Sequence, residues 1–127
     1  MNESLKCFIS ASYETDTTLL KNLLAENGVE VFDLYDFSIG ESIQQILKRK
    51  LRQSDFALFV LAKDNLNVLY EMGVCEGLGK QNFILLEKEF KVPFYIENKL
   101  FLRANLQDRE FLKATIEQIY HLELLHE

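Results

Sequence analysis

The chain is poor in proline, cysteine and tryptophan: its 127 residues hold one Pro, two Cys and no Trp. Average usage of about 5% would give roughly six prolines, so connections between elements must be short or turned by other residues. Two cysteines cannot supply the disulfide framework of a small secreted scaffold, and within apolar segments they read as reduced thiols of a cytoplasmic protein. A basic footprint is missing as well. The 14 Lys+Arg face 20 Asp+Glu, a formal charge of −6, which argues against direct nucleic-acid binding. The longest apolar run, Phe56 to Ala62, has seven residues, far below the roughly 18–20 that span a bilayer. Met1–Ser12 lacks a signal-peptide pattern, because Asn2, Glu3 and Ser4 precede only a short apolar stretch broken by Lys6. Low-complexity segments, repeats and linkers are absent too. With 48% hydrophobic residues the chain is not disordered, and its length suits one domain over residues 1–127.

Periodicity predicts strands alternating with helices. Leu5–Ser10 is a short apolar run ending in small polar residues. Thr15–Asn27 carries Leu19, Leu20, Leu23 and Leu24 at helical spacing, opened by Thr15-Asp16 and closed by Asn27-Gly28. Val29–Phe32 reads as a second strand. Ser38-Ile39-Gly40-Glu41 has capping-box spacing, and Ile43, Ile46, Leu47 and Leu51 mark one face of the helix that follows. Asp55–Leu61, apolar almost throughout, fits a central parallel strand covered on both faces. Asn67–Gly79 is a third helix, Phe83–Leu86 a fourth strand and Leu100–Leu102 a weaker fifth. Gln107–Leu125 closes the chain as a helix on Phe111, Leu112, Ile116, Ile119 and Tyr120. This order predicts an α/β, flavodoxin-like three-layer sandwich: a five-stranded parallel sheet of order 2-1-3-4-5 with helices on both faces. In such sheets ligands sit at the strand carboxyl ends, between the first and third strands.

That rule directs attention to Ser10–Asp16 and to Ala62–Asn67. At about 100° per residue, Glu71 falls within the apolar arc of the third helix that also holds Val68, Met72 and Cys75. With Asn67 as the cap, it would close the first turn. An inward carboxylate at the mouth of an α/β sheet is a candidate functional group, though helix dipoles also favour acids in a first turn. Ser10, Ser12 and Tyr13 could hold a ribose or phosphate, or serve only the turn. Asp36 and Phe37 could contact a ligand or shape their turn. Gly73, Gly77 and Gly79 lie within or at the end of a helix, so no phosphate-binding loop is formed; Gly73 is expected to permit close packing. Cys75 reads as core. His121 and His126 lie five apart, on different faces of a solvated tail, and no metal site is expected.

Asn67-Val-Leu-Tyr-Glu-Met-Gly73, continuing to Gly79-Lys80, resembles the Asn-Val-x-Tyr-Glu-x-Gly segment of TIR-like domains and nucleoside 2-deoxyribosyltransferases. Phe8-Ile9-Ser10-Ala11-Ser12 resembles the first-strand motif of TIR domains. Gly28–Asp33 with Asp36 and Gly40–Ile43 resembles their second strand and its loop, and Ser54–Leu61 their third strand. The ordered similarity runs from about Lys6 to Leu86. It implies cleavage of an N-glycosidic bond, with Glu71 acting at the anomeric carbon and NAD as a substrate rather than a cofactor. Substrate contacts are implied for Ser10, Ala11, Ser12, Tyr13, Asp36, Phe37, Asp64 and Asn67. The chain departs from catalytic TIR domains in having Asn67 and Leu69-Tyr70 where a Ser and a Trp-Cys pair are common. The resemblance also implies bacterial antiviral immunity, with NAD hydrolysed or its ADP-ribose cyclised, and assembly through Asp33–Gly40. A homo-oligomer or a partner sensor chain is therefore expected. Two alternatives are a nucleoside or nucleotide deoxyribosyltransferase or N-glycosidase, and a non-catalytic module binding a nucleotide or a protein. The loops hold Asp33, Asp36 and Asp64 but few cations, so a phosphate would rest on backbone amides.

Overall fold

The structure, a computed structural model, describes residues 5–34, 40–63, 65–93, 99 and 101–125, with side chains as far as residue 121. Strands and helices alternate as β1 (Lys6–Ser10), α1 (Thr18–Glu26), β2 (Glu30–Phe32), α2 (Ile43–Gln53), β3 (Phe56–Leu61), α3 (Leu66–Gly77), β4 (Asn82–Glu87), β5 (Phe101–Ala104) and α4 (Arg109–Leu125). The strands pair in parallel in the order β2-β1-β3-β4-β5. The fold is therefore the flavodoxin-like α/β sandwich that the alternation predicts, in the expected strand order.

Every residue of β3 is buried, and its side chains alternate between two layers. Phe56, Leu58 and Val60 pack with leucines of α1 and with Leu112, Ile116 and Ile119 of α4. Ala57, Phe59 and Leu61 pack with Leu47 and Leu51 of α2 and with Val68, Met72 and Cys75 of α3. Phe56 meets Phe83 edge to face, with centroids 5.8 Å apart, a geometry that aligns ring edge with ring face. The same alternation in β1 sends Cys7 and Ile9 to the α1/α4 layer and Phe8 to the α2/α3 layer. Ser10, two residues beyond Phe8, continues the α2/α3 side.

Local chemistry moves several boundaries. Thr15 does not open α1: its hydroxyl lies 2.7 Å from that of Ser12 and its N–H donates to the Ser12 carbonyl at 3.0 Å. The helix begins at Thr18, whose N–H donates to Asp16 at 3.0 Å. The capping box of α2 is closed by Ser42 and Gln45, with both halves of the reciprocal pair formed; Ser38 lies outside the described residues. Ile43, expected on the buried face, is 61% exposed, and Phe111 and Tyr120 are exposed too. Gly73 does not serve close packing among the described residues, since a Cβ there would meet none of them within 4 Å. Gly79, which follows α3, takes φ 69°, the left-handed conformation that ends helices at glycine.

Candidate active site

The third helix starts at Leu66, with Asn65 rather than Asn67 at the cap position. The Asn65 side chain turns back on the loop: its Oδ1 accepts from the Ala62 N–H at 2.9 Å, and its Nδ2 donates to the Ala62 carbonyl. These two bonds link the carboxyl end of β3 to the start of α3. The buried stripe of the helix is Val68, Glu71, Met72 and Cys75, the i, i+3, i+4, i+7 pattern of a core-facing helix. Glu71 thus occupies a core position, 4% exposed, and faces the end of β1.

Two polar groups stand beside its carboxylate. Asn67 Nδ2 is shared: it donates to the Ala11 carbonyl at 3.3 Å and reaches Glu71 Oε2 at 3.5 Å. Asn67 therefore ties the loop after β1 to α3, directly above the acid. Ser10 is 2% exposed, and its Oγ has no hydrogen-bond partner among the described residues. The hydroxyl nevertheless lies beside the Glu71 carboxylate, where it favours the charged form. Burial raises the Glu71 pKa from its ordinary value, and Ser10 and Asn67 pull against that rise. The result is a carboxylate in a low-dielectric setting with two adjustable hydrogen-bonding neighbours.

A cleft of about 220 Å³ opens on the other side of the β1 loop, lined by Ala11, Ser12, Tyr13, Thr15, Lys21 and Asp33 among others. Tyr13 stands at its rim, 87% exposed. Lys21 and Asp33 pair across it at 3.0 Å. The sequence-predicted residues therefore divide. Ser10, Asn67 and Glu71 gather against α3, whereas Ala11, Ser12 and Tyr13 line the cleft beside α1, and Ala11 joins the two through its carbonyl. Asp36, Phe37 and Asp64 lie outside the described residues.

Comparison with solved structures places the fold. The TIR domain of a Toll-related receptor from Hydra magnipapillata superposes with a TM-score of 0.73 over 92% of this chain and 96% of that one, at 17% identity. The fold is TIR-like. A 2-deoxyribosyltransferase from Bacillus psychrosaccharolyticus is also similar, with a TM-score of 0.59, 15% identity, and 85% and 90% of the two chains covered. No protein-family model matches the sequence, and no curated protein matches it.

Two cations of this TIR-like domain escaped the sequence reading. Lys21 reaches the cleft from α1, so the loops are less devoid of positive charge than their own sequences suggest. Lys50 is buried in α2 and donates to the Asp33 carbonyl at 2.5 Å, pinning the end of β2. A signal for Lys50 was present, since it falls on the same arc as Ile46, Leu47 and Leu51. Cys75 is no competitor to Glu71: burial pushes its thiol up to about 11, which leaves little thiolate at neutral pH. Among the described residues no group of His, Cys, Asp and Glu is placed to hold a metal ion, and no helix is long and apolar enough to cross a membrane.

Proposed function

We propose that this TIR-like domain cleaves the N-glycosidic bond of NAD and releases nicotinamide, with Glu71 as the catalytic residue. The observation that carries this reading is a buried carboxylate at the switch point of the sheet, flanked by the Asn67 amide and by the Ser10 hydroxyl, unpaired among the described residues. As the C1′–N bond breaks, its electron pair passes to the nicotinamide nitrogen and neutralises that ring's positive charge. The leaving group needs no proton. Positive charge then develops on the ribose, where a nearby carboxylate stabilises it or traps it covalently. The interaction is stronger in a dry site than in water. Water adds to C1′ and gives up a proton to solvent, or a nucleophile of the ADP-ribose adds instead and closes a ring; where the carboxylate had bonded C1′, that bond breaks and its electron pair returns to Glu71.

Substrate contacts are proposed for Ser10 and Asn67 at the reacting ribose and for Ala11, Ser12 and Tyr13 along the cleft, where the Tyr13 ring can stack on a base. Substrate contacts are proposed for Asp36, Phe37 and Asp64 as well. The setting we propose is antiviral defence in the cytoplasm, with activity gated by self-assembly or by a partner sensor chain.

A second reading, base exchange or release from nucleosides, is favoured by the likeness to the 2-deoxyribosyltransferase and by the pairing of Lys21 with Asp33, which offsets the cleft's cation. One assay separates them. The chain is incubated with NAD and with a panel of nucleosides, beside Glu71→Gln. Nicotinamide release that falls at least about a hundredfold in the variant supports the NAD reading. Release of nucleobases only would replace it with the second. No turnover of any substrate at concentrations permitting assembly would leave a binding module.

A further inference from the structure

The Ser10 hydroxyl is buried and unpartnered among the described residues. A hydroxyl in that position costs stability unless something bonds to it. Ser10 is the last residue of β1, on the side of the sheet that faces α3, where its hydroxyl stands beside the Glu71 carboxylate. The stereochemistry of the substrate says what such a group would meet. In a β-N-ribosyl compound the base leaves from one face of the ring, and a carboxylate in line with it approaches C1′ from the opposite face, to within about 3–3.5 Å. That opposite face carries the 2′ and 3′ hydroxyls, and O2′ stands on the carbon next to the one under attack. A polar atom beside the carboxylate on the β1 side is within reach of O2′.

We propose that Ser10 is a specificity-determining residue: its hydroxyl bonds O2′, so that the site takes N-ribosyl rather than N-2′-deoxyribosyl compounds. The proposal rests on glycosidic cleavage at Glu71 as set out above. It separates this chain in substrate from the 2-deoxyribosyltransferase that it resembles in fold. The Ser10 hydroxyl gains a partner in O2′, and O2′ is held while charge builds on the ring, when bonds to that hydroxyl strengthen.

The test compares nicotinamide riboside with its 2′-deoxy and 3′-deoxy analogues, in the intact chain, Ser10→Ala and Ser10→Cys, with thermal melts to establish folding. Deoxyribosyl bonds break more readily by themselves, so the quantity read is the change in the kcat/KM ratio between proteins, in which that intrinsic difference cancels. Equilibrium binding of the same three compounds is measured in Glu71→Gln and in Glu71→Gln/Ser10→Ala. A ribosyl over 2′-deoxyribosyl preference that shrinks about five- to tenfold without the Ser10 hydroxyl, in turnover and in binding, supports the proposal. A preference unchanged by Ser10→Ala and Ser10→Cys, one that follows the 3′ position, or binding of none of the compounds overturns it. Absent turnover with an intact, Ser10-dependent binding preference would instead overturn the catalytic reading and leave the assignment of Ser10 standing.

Discussion

Glu71 is the sixth residue of α3, and the positive end of a helix acts mainly on its first turn. Had Asn67 been the cap, the dipole would have offset more of the burial; with the helix starting at Leu66, burial prevails and the pKa rises. This has a consequence for stability that is independent of any activity. Below the ordinary Glu range, folded and unfolded chains both hold the proton, and Glu71 contributes no pH dependence. Between the ordinary and the raised pKa the folded chain keeps a proton that the unfolded chain has lost, so stability falls as pH rises through that window. Above it the loss is complete. Glu71→Gln removes the titration, so its melting temperature relative to the parent should be higher at pH 8 than at pH 4. A difference that stays constant between those two values would refute a raised Glu71.

At the scale of elements, α3 carries a glycine with no structural use in the isolated chain. Gly73 is exposed, helical and open to solvent where a Cβ would stand. Gly73→Ala should therefore add about 0.5–1 kcal/mol of stability, seen as a melting temperature higher by roughly 2–6 °C. A loss of stability would show that the face is tighter than its geometry indicates. The elements themselves were legible in the sequence because their apolar periods are unmixed: β3 is apolar at each position, and Val68, Met72 and Cys75 mark α3 without ambiguity. Their starts were less so, since starts depend on side-chain bonds that period does not encode. Asn65 and Asn67 are equally good cap formers by type, and Asn65 takes the position while its side chain bonds Ala62. Ser38 and Ser42 both precede a suitable partner at the third position, and Ser42–Gln45 closes the box of α2.

For the whole molecule, the two apolar layers meet in β3, so damage to one layer should be felt as a loss of global stability. Leu58, fully buried in the α1/α4 layer, is the position to test. Leu58→Ala should cost about 2–5 kcal/mol, read as a lower denaturant midpoint at an unchanged slope. A changed slope would mean that the layers unfold separately. The candidate site was legible only in part. Glu71 could be found because a charged residue in an apolar arc is visible in one element alone. The pairing of Lys21 with Asp33 could not, because it joins α1 to the end of β2 through the tertiary fold. Nor could the division of the first-loop residues between two sides of the sheet, which follows from the pleat at Ile9 and Ser10. Ala11 sits at that division, with its side facing the cleft and its carbonyl holding Asn67. It is a party wall: a ligand that displaced Ala11 from the α1 side would also move the carbonyl that holds the amide beside Glu71.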